Sequence, residues 1–407
     1  MSMKAIVLAA GRGSRLGGLT DSRSKVMLPV AGRPIIEWML SELADAGIEE
    51  ATIVHGYAGS RILTNLGSGK GVGLKLKFIE QTSPHGSLGA ALDALAAMSL
   101  DEDVLILNGD NIVSSSAIKR LIQSESASLL VAENENPQEY GVVTLNGDII
   151  EEIQEKPASH EAIGRVVSTG ALRCPVIWRE IFEKTVKTGL TGIPDAIRNL
   201  LEEDVQIKAI RTDTWVDVDH PWDLIDMNAI LLDRVNSSIS PAAEIHPSAV
   251  LSGNVHISKG CIIRSGTVIE GPVHIGPNCD IGPMAVVTGS TTIAAGTRIG
   301  PFCRIRSSFL MEDVQVDSGS WLQRSVIGPA TVLRSHLNVD VGETQKIGTS
   351  GEIHVRRLGL VTGEACTLGH GVVTAPGTIL GSQVVVERRS RVSGEHPSGA
   401  EISSGGV

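Results

Sequence analysis

Ile257-Ser-Lys-Gly-Cys-Ile-Ile263-Arg-Ser-Gly-Thr-Val-Ile269-Glu-Gly-Pro-Val-His-Ile275-Gly-Pro-Asn-Cys-Asp-Ile281 places an aliphatic residue at every sixth position. The same phase begins at Ile245 and Leu251 and continues through Val287, Ile293 and Ile299 to Ile305. Small residues mostly follow four places later, at Ala249, Cys261, Thr267, Cys279, Ala285, Thr297 and Cys303. An α-helix repeats its faces at about 3.6 residues, so this stretch is not helical. A period of six fits a left-handed parallel β-helix, in which three short faces make one coil and the aliphatic residues stack inward. Cys261 and Cys279, one coil apart, are expected to stack as small buried hydrophobes.

Downstream, Met311 to Gln323 breaks the phase, which predicts an interrupted coil. Weaker hexads return around Ile327, Leu333 and Val339, and again at Leu368, Thr374, Leu380 and Val386. Upstream, the repeat stops at Val235-Asn-Ser-Ser-Ile-Ser-Pro241. Before that break, strand-like runs (Ala51–Val54, Leu105–Leu107) alternate with helix-like ones (Pro34 to Ala46, Gly86 to Met98). Val142–Leu145 and Asp148–Ile150, joined by Asn146-Gly147, read as a hairpin. Two domains follow, residues 1–235 and 236–407. The first is an α/β domain with a mixed, mostly parallel, Rossmann-like sheet, and the second is the β-helix.

Composition narrows the partners. The chain has 407 residues with 35 basic and 46 acidic side chains, for a net charge of −11. That balance argues against nucleic acid as a partner. No apolar stretch approaches membrane-spanning length, which excludes a helical membrane role. The five cysteines form no Cys-x-x-Cys pair, as expected of reduced thiols in a cytoplasmic protein.

The chain opens with the strand-like run Lys4-Ala-Ile-Val-Leu-Ala-Ala10, then Gly11-Arg-Gly13-Ser-Arg15, then Lys25-Val-Met-Leu-Pro29. Glycines let backbone N–H groups close on a phosphate, and Arg15 and Lys25 add full positive charge. Leu16 stands where a dinucleotide fingerprint needs its third glycine, and no Gly-Lys-Ser/Thr follows for a Walker loop.

These residues resemble the opening motif of the sugar-1-phosphate nucleotidyltransferases. The likeness covers Leu8-Ala9-Ala10-Gly11-Arg-Gly13-Ser-Arg15, Leu19-Thr20, Lys25 and Pro29. It continues through Gln81, Gly86-Ser87, Asn108-Gly109-Asp110, Tyr140-Gly141-Val142, Glu155-Lys156-Pro157, Ser168-Thr169-Gly170 and Trp215-Val-Asp217. The resemblance implies that a sugar 1-phosphate attacks the α-phosphorus of a nucleoside triphosphate and expels pyrophosphate. It assigns Leu8, Ala9, Ala10, Gly11, Gly13, Gln81, Gly86 and Ser87 to the nucleotide. Gly141, Glu155, Lys156, Ser168 and Thr169 fall to the sugar phosphate, Arg15 and Lys25 to the phosphates, and Asp110 and Asp217 to Mg²⁺. An amide such as Gln81 matches the imide edge of uracil or thymine, which favours UTP or dTTP. Glucose 1-phosphate and N-acetylglucosamine 1-phosphate both fit as acceptors.

Fusion to a hexapeptide β-helix resembles the archaeal-type bifunctional enzymes that also acetylate an amino-sugar phosphate from acetyl-CoA. Ser335-His336-Leu-Asn338-Val-Asp-Val-Gly342-Glu343 is similar to their acetylation motif, with His336 as general base. Val339 replaces the motif tyrosine, and the Asn-x-Gly-Ala-Gly-Thr segment is missing, so acetyl-CoA is expected only if that activity survives. The rival His370 lies in a hexad turn and reads as structural. The resemblance also implies a homo-oligomer, a trimer or a multiple of it. A non-catalytic sugar-nucleotide-binding scaffold is the reading from another class. Retention of Arg15, Lys25, Asp110 and Asp217 weighs against it.

Overall fold

The computed structural model describes residues 3–82, 86–99, 102–158, 164–347 and 353–403. The chain divides into two compact units. One comprises Met1–Arg12, Arg23–Met27 and Pro34–Asp217, the other Gly13–Ser22, Leu28–Arg33 and Val218–Val407.

The first unit is built on a nine-stranded sheet. Its order is Lys75–Glu80, Glu50–His55, Lys4–Ala9, Asp103–Asn108, Val166–Pro175, Ser128–Glu133, Lys208–Arg211, Ile149–Glu155, Gly141–Asn146. The first four strands are parallel, and antiparallel pairs enter with Val166–Pro175 and the expected hairpin. Burial on both faces explains the near-continuous apolar runs: Ala5, Ile6 and Val7 are inaccessible, as are Val104 to Leu107. Strand Lys4–Ala9 lies between Glu50–His55 and Asp103–Asn108. The chain runs outward from it to Glu50–His55 and Lys75–Glu80 and then crosses back to Asp103–Asn108 on its other side, a switch point whose carboxyl end is where ligands bind in such sheets. The helix Ile35–Asp45 starts after Pro34 and buries Ile36, Met39, Leu40 and Leu43. The helix expected over Gly86 to Met98 ends at Leu95.

The second unit carries the hexads as a three-sided parallel β-helix. Its sheets have nine, nine and eight strands, and each residue pairs with the one a coil later, as in Val255↔Val273↔Thr291. The aliphatic positions from Ile257 to Ile305 are all buried in one continuous core. Cys261 and Cys279 do stack: the Cys279 carbonyl accepts from Ile262 N–H, and both thiols are buried.

The expected interruption after Ile305 is not there. Phe309–Leu310, Gln315–Val316 and Trp321–Gln323 continue the three sheets without a gap. Ile293 pairs with Leu310 and Ile299 with Val316, so one residue is dropped and the coil stays closed. A strict count of six loses phase at that deletion, although the inward side chains remain aliphatic. Further on, the antiparallel hairpin Gly342–Ile347 with Ile353–Leu358 is inserted. Coiling resumes at Leu360–Thr362, where Ile327 pairs with Thr362. Among the described residues no helix is long and apolar enough to cross a membrane.

Candidate active site

The carboxyl end of the first strand brings Leu8 beside Asn108-Gly109-Asp110. Leu8 pairs with Asn108 across the parallel ladder, and Gly109 N–H donates to the Leu8 carbonyl at 2.8 Å. A Cβ on Gly109 would lie 3.1 Å from that oxygen, a tight contact that glycine avoids. Ala9 is buried, whereas Gly11 is exposed with open space on its Cβ side. Arg12 extends over the Tyr57 ring, 5.1 Å from its centroid.

Asp110 follows in the turn between Asp103–Asn108 and Asn111–Val113. Its Oδ2 lies 2.8 Å from Lys25 Nζ, and the Lys25 side chain is 8% exposed. Trp215–Asp217 pairs antiparallel with Asn111–Val113, in a register that sets Asp217 opposite Asn111. Both carboxylates therefore belong to one end of this two-stranded ribbon.

The ribbon is tied to the Ser168-Thr169-Gly170 bulge, where the pairing of Val166–Pro175 with Ser128–Glu133 shifts register. Asn111 Nδ2 donates to the Thr169 carbonyl at 2.8 Å, and Thr169 Oγ1 donates to the Leu130 carbonyl at 2.9 Å. Gly170 has φ +77°, and a Cβ there would lie 2.3 Å from Asn108 Nδ2. Thus the bulge holds Asn111 by a hydrogen bond, and Gly170 lies against the Asn108 amide. Ser168 Oγ accepts from Gly170 N–H at 3.2 Å.

The acceptor candidates sit at the open end of the hairpin. Gly141 pairs with Glu155, and Lys156 N–H donates to the Tyr140 carbonyl at 3.0 Å. Lys156 holds φ +43°, an unusual backbone state for a lysine. The Tyr140 ring meets Trp215 edge to face at 5.0 Å. Trp215 also lines a cleft of about 560 Å³ with Val131, Glu133, Arg211 and Thr212. Gln81 Nε2 donates to the Gly86 carbonyl at 3.1 Å, and Ser87 Oγ accepts from Ile193 N–H at 3.2 Å.

Arg15 and Gly13 belong to the second unit. Gly13 precedes the 3-10 segment Ser14–Thr20 in a left-handed conformation. Arg15 Nη1 lies 2.7 Å from Asp219 Oδ2. Asp219 and His220 donate their backbone N–H groups to Asp223 Oδ2 at 2.9 and 2.7 Å. Burial raises the Asp223 carboxyl to about 6, against the pull of those donors. Also in this unit, the exposed His336 ring meets the His370 ring edge to face at 5.4 Å. The turn histidine set aside as structural is therefore its neighbour.

Two participants escaped sequence reasoning. Asn111 carries its signal only by following Asp110, and Asp219 only by standing two residues after Asp217.

The donor set suits a hard cation. Mg²⁺ is commonly held by one or two carboxylates plus substrate phosphates rather than by an all-protein cage. Asp110 and Asp217 could supply such a pair, and among the described residues no group of three or more His, Cys, Asp or Glu could hold a metal.

Comparison with known proteins places the chain in a family. The family model described as nucleotidyl transferase matches residues 4–234, and a GMPPB C-terminal domain model matches residues 269–396. The chain is 32% identical over 390 residues to the bifunctional protein GlmU of Methanocaldococcus jannaschii, covering 93% of this chain and 92% of that one. It is 28% identical over 241 residues to a bifunctional sugar-1-phosphate nucleotidylyltransferase/acetyltransferase of Sulfurisphaera tokodaii, covering 57% of this chain and 56% of the other. A solved structure from Bacillus anthracis, described as a glucose-1-phosphate thymidylyltransferase, superposes with a TM-score of 0.53 at 26% identity. That match covers 58% of this chain and 98% of the other.

Proposed function

Because the chain belongs to the nucleotidyl transferase family, we propose that it transfers a nucleotidyl group from UTP or dTTP to glucose 1-phosphate or N-acetylglucosamine 1-phosphate. An oxygen of the sugar phosphate attacks the α-phosphorus, the bond to the bridging β-oxygen breaks, and pyrophosphate leaves with its electron pair. The observation that carries the reading is the Lys25–Asp110 contact beside the carboxyl end of the first strand.

No covalent protein intermediate is needed, so positioning and charge supply the catalysis. Residues 1–235 provide these groups and residues 236–407 the β-helix. Leu8 to Gly13 cradle the triphosphate, with Gln81, Gly86 and Ser87 at the base. Arg15 holds the departing pyrophosphate, and Lys25 offsets charge at the α-phosphate. Gly141, Glu155, Ser168 and Thr169 shape the sugar site, while Lys156 grips the sugar phosphate. Asp110 and Asp217 would hold Mg²⁺, which when bound neutralises phosphate charge.

The test is pyrophosphate release across UTP, dTTP and the remaining ribonucleotides, with glucose, N-acetylglucosamine and glucosamine 1-phosphates as acceptors. Release with UTP or dTTP and one of the first two acceptors is expected. Silence from folded protein across the grid overturns the proposal.

A second reading adds acetyl transfer. It is favoured by the exposed His336 ring beside His370 and by the name of the Sulfurisphaera relative. The amine of glucosamine 1-phosphate would attack the thioester carbonyl, coenzyme A would leave as thiolate, and His336 would take the amine proton. Coenzyme A release dependent on glucosamine 1-phosphate, and lost in His336→Ala, tests it. Self-association through the β-helix, as a trimer or a multiple, is read by light scattering. Val250, Met284, Phe302 and Trp321 supply exposed apolar surface there.

A further inference from the structure

The signature segment alternates between the two units. Residues 13–22 and 28–33 belong to the unit built on the β-helix, while Arg23–Met27, with Lys25, does not. Both flanks are fixed to that unit by specific contacts.

In the first flank, Gly18 lies against the coil backbone. A Cβ on it would stand 2.8 Å from both Gly363 Cα and Ser382 N. Ser382 Oγ donates to the Gly18 carbonyl at 3.1 Å and accepts from Glu364 N–H at 3.1 Å. Ser22 donates to Glu364 Oε1 from its hydroxyl at 2.5 Å and its N–H at 3.3 Å. In the second flank, Asn228 Oδ1 accepts from Ala31 N–H at 3.0 Å and from Thr292 Oγ1 at 2.7 Å. Asn228 Nδ2 donates to the Ser290 carbonyl at 3.1 Å. Gly32 packs on the His274 ring so closely that a Cβ would lie 2.2 Å from Nε2.

A short 3-10 segment has poor hydrogen-bond geometry and little stability of its own. Within Ser14–Thr20 the support includes Leu16 N–H to the Gly13 carbonyl and Thr20 Oγ1 to the Gly13 and Gly17 carbonyls. Besides the Arg15–Asp219 ion pair, its place therefore depends on what it rests on. Arg15 rides on this segment, one turn before Gly18.

We propose that the β-helix coils take part in nucleotidyl transfer, with Glu364 and Ser382 acting as positioning residues for Arg15. This rests on the assignment of Arg15 to the triphosphate. A misplacement of about 1 Å in a charge-positioning group can cost on the order of a hundredfold. Loss of one anchoring hydrogen bond among several should cost about three- to tenfold.

The test uses full-length Glu364→Ala, Ser382→Ala and Glu364→Gln, with thermal melts alongside kinetics in both directions. Expected are three- to tenfold higher KM values for the triphosphate and pyrophosphate in the two alanine variants, with KM for the sugar 1-phosphate unmoved. Glu364→Gln, which keeps an oxygen acceptor for Ser22, should stay near wild type. Unchanged constants in folded alanine variants overturn the proposal. So does a parallel loss for both substrates that tracks a lower melting temperature. Wild-type protein silent with every substrate pair instead overturns the nucleotidyl-transfer reading, and the positioning role falls with it.

Discussion

Lys25 Nζ lies 2.8 Å from Asp110 Oδ2, with the lysine side chain 8% exposed and the carboxylate 29% exposed. The pair sets a stability role against a catalytic one, and the two can be separated. Asp110→Asn removes the carboxylate that faces a nearly buried ammonium, which is destabilising, and removes a carboxylate assigned to the cation. Turnover should fall about 10²–10³-fold, the usual cost of losing one charge-stabilising group, and the melting temperature should drop. In Lys25→Met/Asp110→Asn neither charge is left unpaired, so the melting temperature should recover while pyrophosphate release stays lost. Recovery of activity along with stability would mean that the pair is structural.

Gly170→Ala tests the bulge. The left-handed φ of +77° is costly for alanine, and the new methyl would sit 2.3 Å from Asn108 Nδ2. Strain of this kind is worth roughly 1–3 kcal/mol. Because Asn108 and Asn111 flank Asp110, turnover should fall further than the stability loss explains. A lower melting temperature with wild-type kcat would show that the bulge supports the fold without placing Asp110.

These two sites show what local sequence records. Asp110 and Asp217 stand in short motifs at strand ends and Lys25 in a 3-10 turn, so each could be picked out locally, and the structure pairs Lys25 with Asp110. The β-helix was legible from Ile245 to Ile305 because an inward aliphatic every six residues is a local rule. Past Ile305 one deleted residue shifts the phase, and the pairing Ile293↔Leu310 preserves the coil where the count fails. Contacts such as Arg15–Asp219 and Gly18–Ser382 join residues 204 and 364 positions apart. No local pattern encodes them, so the attachment of the signature flanks to the β-helix unit was invisible until the chain was folded.

The stacked cysteines set ionisation against access. The Cys261 thiol is drawn down by its coupling to Cys279, whose own thiol is pushed up. A thiolate is the reactive form, yet all five cysteines are buried. Access should win. An aromatic disulfide reagent at pH 8 should label no thiol in native protein and all five in denaturant. Stoichiometric labelling of Cys261 without denaturant would show that the coil opens locally.

Asp223 predicts a pH dependence of stability. Its carboxyl is raised from 3.8 to about 6, chiefly by burial, with the Asp219 charge adding to the rise. The backbone N–H groups of His220 and Asp219, and the His220 ring, oppose it. The folded protein thus holds this proton more tightly than the unfolded chain does. The group's contribution is fully present below about pH 4 and is lost as the pH rises through 6. Asp223→Asn keeps an oxygen acceptor for both backbone donors and cannot ionise. Thermal melts should therefore fall less steeply between pH 4 and 7 in the variant than in wild type, with the variant melting higher at pH 8. A variant less stable by the same amount at every pH would show that the two accepted hydrogen bonds, and not the buried charge, set the balance at this turn.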